Sequence, residues 1–258
     1  MKRNYHGQMS ESFIVGILLC LAGGFQDAYT YNCRDKVFAN AQTGNIVLMG
    51  QNLAMGEWGT ALRYLLPLLA FVGGIWLAQT IRYRCRRRQR AMLHWRQVVL
   101  AIEILILFAV GLFPTVKEWN VAANVLVSFS CAMQVDSFRK IRGSGIASTM
   151  CIGNLRSATD LLCAYKETGD KQMRQKGLWY YGFILVFAVG AAAGGILSPR
   201  WGEKAIWLCC VTLLLAFVIM FIEEEQEEDS SGRKEGFWEE LKDIENQLEQ
   251  ALNRNKKG

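Results

Sequence analysis

Long apolar runs dominate the chain, and polar stretches interrupt them at two matching places. The clearest runs are Phe13–Tyr31, Leu62–Ile81, Val98–Phe113, Val121–Val135, Leu178–Leu197 and Ala205–Ile222. Most approach the ~20 residues that an α-helix needs to cross a ~30 Å hydrocarbon core. Val98–Phe113 is apolar throughout except for Glu103, and Leu178–Leu197 carries no charge and opens on Trp179-Tyr180-Tyr181, an aromatic cluster suited to a membrane interface. The pattern predicts an all-α transmembrane helical bundle of about six spans. Because the first run continues into Gln26-Asp27 without a small-residue cleavage site and more spans follow, it reads as a span and not as a signal peptide.

The interruptions are Val37–Ala54 and Ile146–Tyr165, both too polar to face lipid. They sit at equivalent places in an internal duplication. Asp27 is followed seventeen positions later by Gly44-Asn45, and Asp136 is followed seventeen positions later by Gly153-Asn154. Each interruption either spans, giving eight helices, or dips in and returns. Lys and Arg concentrate on the cytoplasmic side of membrane proteins, and the seven arginines of Arg82–Arg96 anchor that side. With Arg156 left out as intramembrane, basic residues divide fourteen against fourteen if both stretches span, and twenty-two inside against six outside if neither does. The second arrangement is preferred and places both termini in the cytoplasm. Each copy then makes three crossings, so the second enters the membrane upside down relative to the first, as in transporters built from inverted repeats with broken helices.

The expected divisions are a cytoplasmic tail over 1–11, repeat one over 12–113, repeat two over 120–222, and an acidic linker with an amphipathic helix over 223–258. That last helix shows Phe237, Leu241, Ile244, Leu248 and Leu252 at helical spacing and is expected to dock on the bilayer, on the bundle or on a second copy, which would make a homo-oligomer.

Ionisable groups in an apolar span are costly unless they line a polar cavity, which makes them candidates for a solute or ion pathway. The candidates are Asp27, Asn40, Thr43, Gly44 and Asn45 in the first copy and Asp136, Gly153, Asn154, Arg156 and Asp160 in the second, with Gln26, Glu103 and Gln134 as weaker members. Thr43-Gly44-Asn45 offers a hydroxyl, an amide and backbone freed by glycine where a helix breaks. The expectation is convergence near mid-membrane, with Asp27→Asn abolishing or uncoupling transport. The alternative is that the same groups only hold broken helices to their neighbours.

Composition narrows the function. The net charge of +6 comes largely from one arginine-rich loop, which suits an anionic inner leaflet better than nucleic acid. Eight cysteines never form CxxC and read as packing residues, and two histidines outside the spans give no metal site. No cofactor is implied. A membrane enzyme would need a nucleophile–base pair or metal set that is not evident. A scaffold or sensor acting through the basic loop and tail remains the alternative to a secondary transporter or channel for a small polar or ionic solute, one that could be proton-coupled.

The segments Gly23–Tyr31 (GGFQDAYTY), Phe38–Asn45 (FANAQTGN), Met133–Lys140 (MQVDSFRK) and Thr149–Ala158 (TMCIGNLRSA) resemble the YoaK family of bacterial membrane proteins, a domain of unknown function. The resemblance covers about Ser12 to Ile222 and implies an integral protein of the bacterial inner membrane; it supplies no substrate. Ile152 stands where the family often has Thr, and Asp136 where an amide is common.

Overall fold

The computed structural model describes residues 12–87, 95–141 and 144–222. The N-terminal tail, the middle of the arginine-rich loop and the whole of the acidic linker and C-terminal helix lie outside the described residues. The residues up to Val218 form one compact unit.

The described residues form helices joined by short connections. They are α1 (Phe13–Cys33), α2 (Gln42–Ala54), α3 (Trp58–Arg87), α4 (Trp95–Val110), α5 (Lys117–Ser137), α6 (Cys151–Thr168) and α7 (Lys171–Trp201), then a 3-10 turn (Gly202–Ile206) and α8 over 207–222. Three helical stretches are long and apolar enough to cross a membrane: Phe13–Cys33, Trp58–Cys85 and Lys171–Ile222. Their outer faces are apolar, with Leu69, Val72, Trp76, Leu185, Val189 and Ile196 all exposed. A water-soluble protein does not leave so much apolar surface uncovered, whereas hydrocarbon solvates it at no cost.

Glycines set the two main helix pairings. A Cβ at Gly24 of α1 would collide with the Phe187 carbonyl of α7, and one at Gly190 of α7 would collide with the Leu21 carbonyl of α1. In the other half, a Cβ at Gly74 of α3 would strike the Phe129 carbonyl of α5. Without side chains at these points the backbones come into contact, which replaces the hydrophobic drive that lipid does not provide.

Polar contacts fix the helix directions. Call the N-terminal end of α1 proximal and its C-terminal end distal. Arg34, just past α1, donates to the carbonyls of Val110 and Phe113, so α4 ends distally. Arg96, at the start of α4, donates through Nε to the Ser137 carbonyl at 2.8 Å, so α5 ends proximally. Gln79 of α3 reaches Asp136 of α5, while Cys33 of α1 reaches the Ser198 carbonyl of α7, so α3 runs with α5 and α7 with α1.

The short helices break this alternation. The Asn40 amide donates to the Gly23 carbonyl at 3.1 Å, so the connection after α1 turns back as far as α1's midpoint before α2 begins. From there α2 leads into the distal start of α3. The α5–α6 connection does the same from the other face, bringing Thr149 against Gly23, and α6 then leads into the proximal start of α7.

Candidate functional site

The reversal after α1 is held by consecutive left-handed residues, Asp35 at φ 60° and Lys36 at φ 61°, a conformation that needs outside support in non-glycine residues. Support comes from α5: Asn120 donates to Asp35 Oδ1 at 3.1 Å and Asn124 to the Arg34 carbonyl at 2.7 Å. Arg34 is itself fully buried. Its guanidinium donates to the Tyr29 hydroxyl, to Asn120 Oδ1 and to the carbonyls of Pro114, Val110 and Phe113, so one cation satisfies the loose carbonyls at the end of α4.

Returning to mid-depth, the chain meets Asp27. Asn40 N donates to Asp27 Oδ1 at 2.7 Å, and the backbone amides of Ala39 and Ala41 also face this carboxylate. Asp27 thus caps the loop that leads into α2, accepting from backbone amides of residues 39–41 just before the helix begins, beside an N-terminus whose dipole favours negative charge. One turn into α2, Asn45 clamps the incoming strand: its Oδ1 accepts from Phe38 N at 3.1 Å and its Nδ2 donates to Phe38 O at 2.8 Å.

The second copy reproduces the clamp and not the cap. Asn154 Oδ1 accepts from Ala147 N at 3.2 Å and its Nδ2 donates to Ala147 O at 2.7 Å. Asp136 is drawn elsewhere, to Gln79 Nε2 at 2.9 and 2.8 Å and to Arg139. Thr43, Arg156 and Asp160 turn outward. Residues two apart on a helix lie about 200° apart, so with Asn45 and Asn154 facing inward, Thr43 and Arg156 face away, and Asp160 follows Arg156 by one turn. Arg156 and Asp160 pair with each other at 3.7 Å with side chains 85% and 70% exposed. Gly44 lets the Phe38 ring lie close, 3.1 Å from where its Cβ would be, whereas Gly153 faces open space.

Candidates from both copies come together at the crossing of α1 and α5. Gln26 of α1 turns its Nε2 toward Glu103 Oε1 of α4 at 3.5 Å and accepts from the Cys131 thiol of α5 at 2.5 Å. Ser130 lies beside Glu103. Gln134 donates to Ser148 at 3.0 Å and to the Leu19 carbonyl at 3.2 Å. Around this crossing Asn40 Oδ1, Glu103 Oε2, Ser130 Oγ, Gln134 Oε1 and Thr149 Oγ1 are all buried and, among the described residues, make no hydrogen bond of ordinary geometry, although Ser130 lies within reach of Glu103 and Asn40 within reach of Cys131. Buried polar atoms are ordinarily paired, so five such oxygens contributed by α1–α2, α4, α5 and α5–α6 mark the chemically unfinished part of the bundle. Arg34, Gln79, Ser130 and Thr149 were not among the sequence candidates. Of these, Arg34 carried a signal, a cation directly after an apolar span.

An all-helical bundle with an apolar exterior and a buried polar centre defines a membrane protein. The chain belongs to the family described as "Protein of unknown function (DUF1275)", which matches residues 15–219. It is 28% identical over 200 residues to the UPF0700 transmembrane protein YoaK of Bacillus subtilis (strain 168), an alignment covering 74% of this chain and 86% of that protein. No solved structure matches.

Proposed function

We propose that this protein is a secondary transporter or channel for a small polar or ionic solute, a pathway and not an enzyme, in the inner membrane of a bacterium. In this reading α1, α3, α4, α5, α7 and α8 cross the bilayer, and α2 and α6 are re-entrant, entering from opposite faces as halves of an inverted repeat. The observation that carries it is the meeting of both loop tips at Gly23 beside five buried oxygens without an ordinary hydrogen bond. Broken helices that meet at mid-depth among polar groups are how transporters expose solute-binding atoms inside hydrocarbon.

The orientation rests on charge. Arg82, Arg84, Arg139 and Lys171 belong to proximal ends and connections, which the reading makes cytoplasmic; Lys36, Lys117 and Lys204 belong to distal ones. The test is reconstitution of the full chain in proteoliposomes and measurement of uptake across a panel of inorganic ions, amino acids, organic acids and sugars, with and without a pH gradient. Saturable uptake of a panel member, lost in Asn40→Ala, is the expected result. Flux equal to that of empty liposomes across the panel, from protein shown to be folded, would contradict the reading.

A further inference from the structure

Glu103 is fully buried, and among the described residues no ion pair involves it. Gln26 reaches it from α1 and Ser130 from α5; the titratable groups turned toward it are the thiols of Cys131 on α5 and of Cys209 and Cys210 on α8, with Asp27 beyond Cys131. None can supply a positive charge. An ionised carboxylate in hydrocarbon needs a counter-ion or must bind a cation of its own.

The groups around Glu103 favour a proton as that cation. The Cys131 thiol donates to Gln26 Oε1, which orients the amide and leaves its N–H, not its oxygen, toward Glu103 Oε1. A metal ion would need several donors converging on it, and among the described residues no group of three His, Cys, Asp or Glu side chains could hold one. A proton has no such requirement: Oε1 accepts from Gln26, and Oε2, which makes no ordinary hydrogen bond among the described residues and has the Ser130 hydroxyl within reach, is the oxygen left to carry it.

From this geometry we infer that Glu103 is the proton-carrying group of the pathway, binding one proton on Oε2 and releasing it as the solute moves. The inference rests on the transport reading. Its only bond change is the O–H bond at Oε2, made with a proton delivered from water on one face and broken by release to the other. Gln26 and Cys131 are positioning residues that keep Oε1 an acceptor.

The test is infrared difference spectroscopy of the full chain in lipid nanodiscs, titrated with pH. A protonated-carboxyl C=O band that disappears in Glu103→Gln and persists in Asp27→Asn is expected. If Glu103→Gln does not fold, Glu103→Asp should shift the frequency of the same band. A band unchanged by either substitution at Glu103 overturns the proposal. Proton movement measured in the same proteoliposomes separates the two claims. If solute uptake continues and Glu103→Gln leaves its proton co-movement and pH dependence intact, the proton role fails and transport stands. If the band belongs to Glu103 but no solute moves, the proton site stands and the transport reading fails.

Discussion

Replacing Asp27 by Ala and by Asn distinguishes a capping carboxylate from one whose ionisation matters. Asp27→Ala removes the oxygen that Asn40 N reaches at 2.7 Å and leaves that amide buried and unpaired in the loop just before α2. Loss of a cap together with an unpaired buried donor costs about 1–3 kcal/mol. Asp27→Asn keeps a carbonyl oxygen for the same amide and forfeits the interaction of full charge with the helix dipole, about 0.3–1 kcal/mol. For a chain of this size, the melting temperature should fall by roughly 2–12 °C for Ala and by less than half of the observed Ala shift for Asn. Thermal unfolding of the purified protein in detergent, followed by tryptophan fluorescence, measures both. Uptake in proteoliposomes should survive Asp27→Asn. Equal destabilisation by the two substitutions would refute the cap; an Asp27→Asn protein of full thermal stability and no uptake would return the coupling role to Asp27.

Arg34→Lys keeps the charge but cannot span five acceptors, and the carbonyls left unpaired at the end of α4 should lower stability by about 3–5 kcal/mol; an unchanged melting temperature would refute this. Gly190→Ala places a methyl against the Leu21 carbonyl and should separate α1 from α7, lowering the yield of monodisperse protein on size exclusion, whereas Gly182→Ala, which faces open space, should not. Asn154→Asp sets a carboxylate oxygen where Nδ2 now donates to Ala147 O and should destabilise by about 1–3 kcal/mol, with Asn45→Asp doing the same in the first copy.

The helices and the duplicated Gly-Asn pairs were legible in the sequence because both are local signals, although the pairs fall in the first turns of α2 and α6 and not at breaks between helices. Apolar runs give helices, and Asn45 and Asn154 clamp residues only seven positions earlier, so equal spacing produced equal geometry. The carboxylates at the same spacing did not become equivalent, because their partners come from elsewhere in the fold. Asp27 has an amide loop beside it, while Asp136 lies opposite Gln79, a residue of α3 whose approach depends on how Gly74 lets α3 meet α5. Helical phase explains Thr43, Arg156 and Asp160. They share short stretches with the clamping asparagines, yet their position around the helix turns them outward. Glu103 was visible as one charge in an apolar run, but a lone glutamate near the start of a span can also reach headgroups. Its burial required knowing that Gln26 and Ser130, distant in sequence, face it.

The central claim, that the loop tips meet on a path open to water, is tested most directly at Thr149. It is buried, with an unpartnered hydroxyl, and Cys replaces it with little change in volume. A full chain with Thr149→Cys, in which Cys33, Cys85, Cys151, Cys163 and Cys210 are replaced and the buried Cys20, Cys131 and Cys209 are kept, is compared with the same chain lacking Thr149→Cys, each reconstituted in sealed vesicles and exposed to a membrane-impermeant thiol reagent from each face in turn. The transport account predicts modification from at least one face, at a rate that a pH gradient changes. A thiol that stays unreactive from both faces, with and without the gradient, in protein that labels fully once denatured, would show that the centre is closed packing and contradict the account.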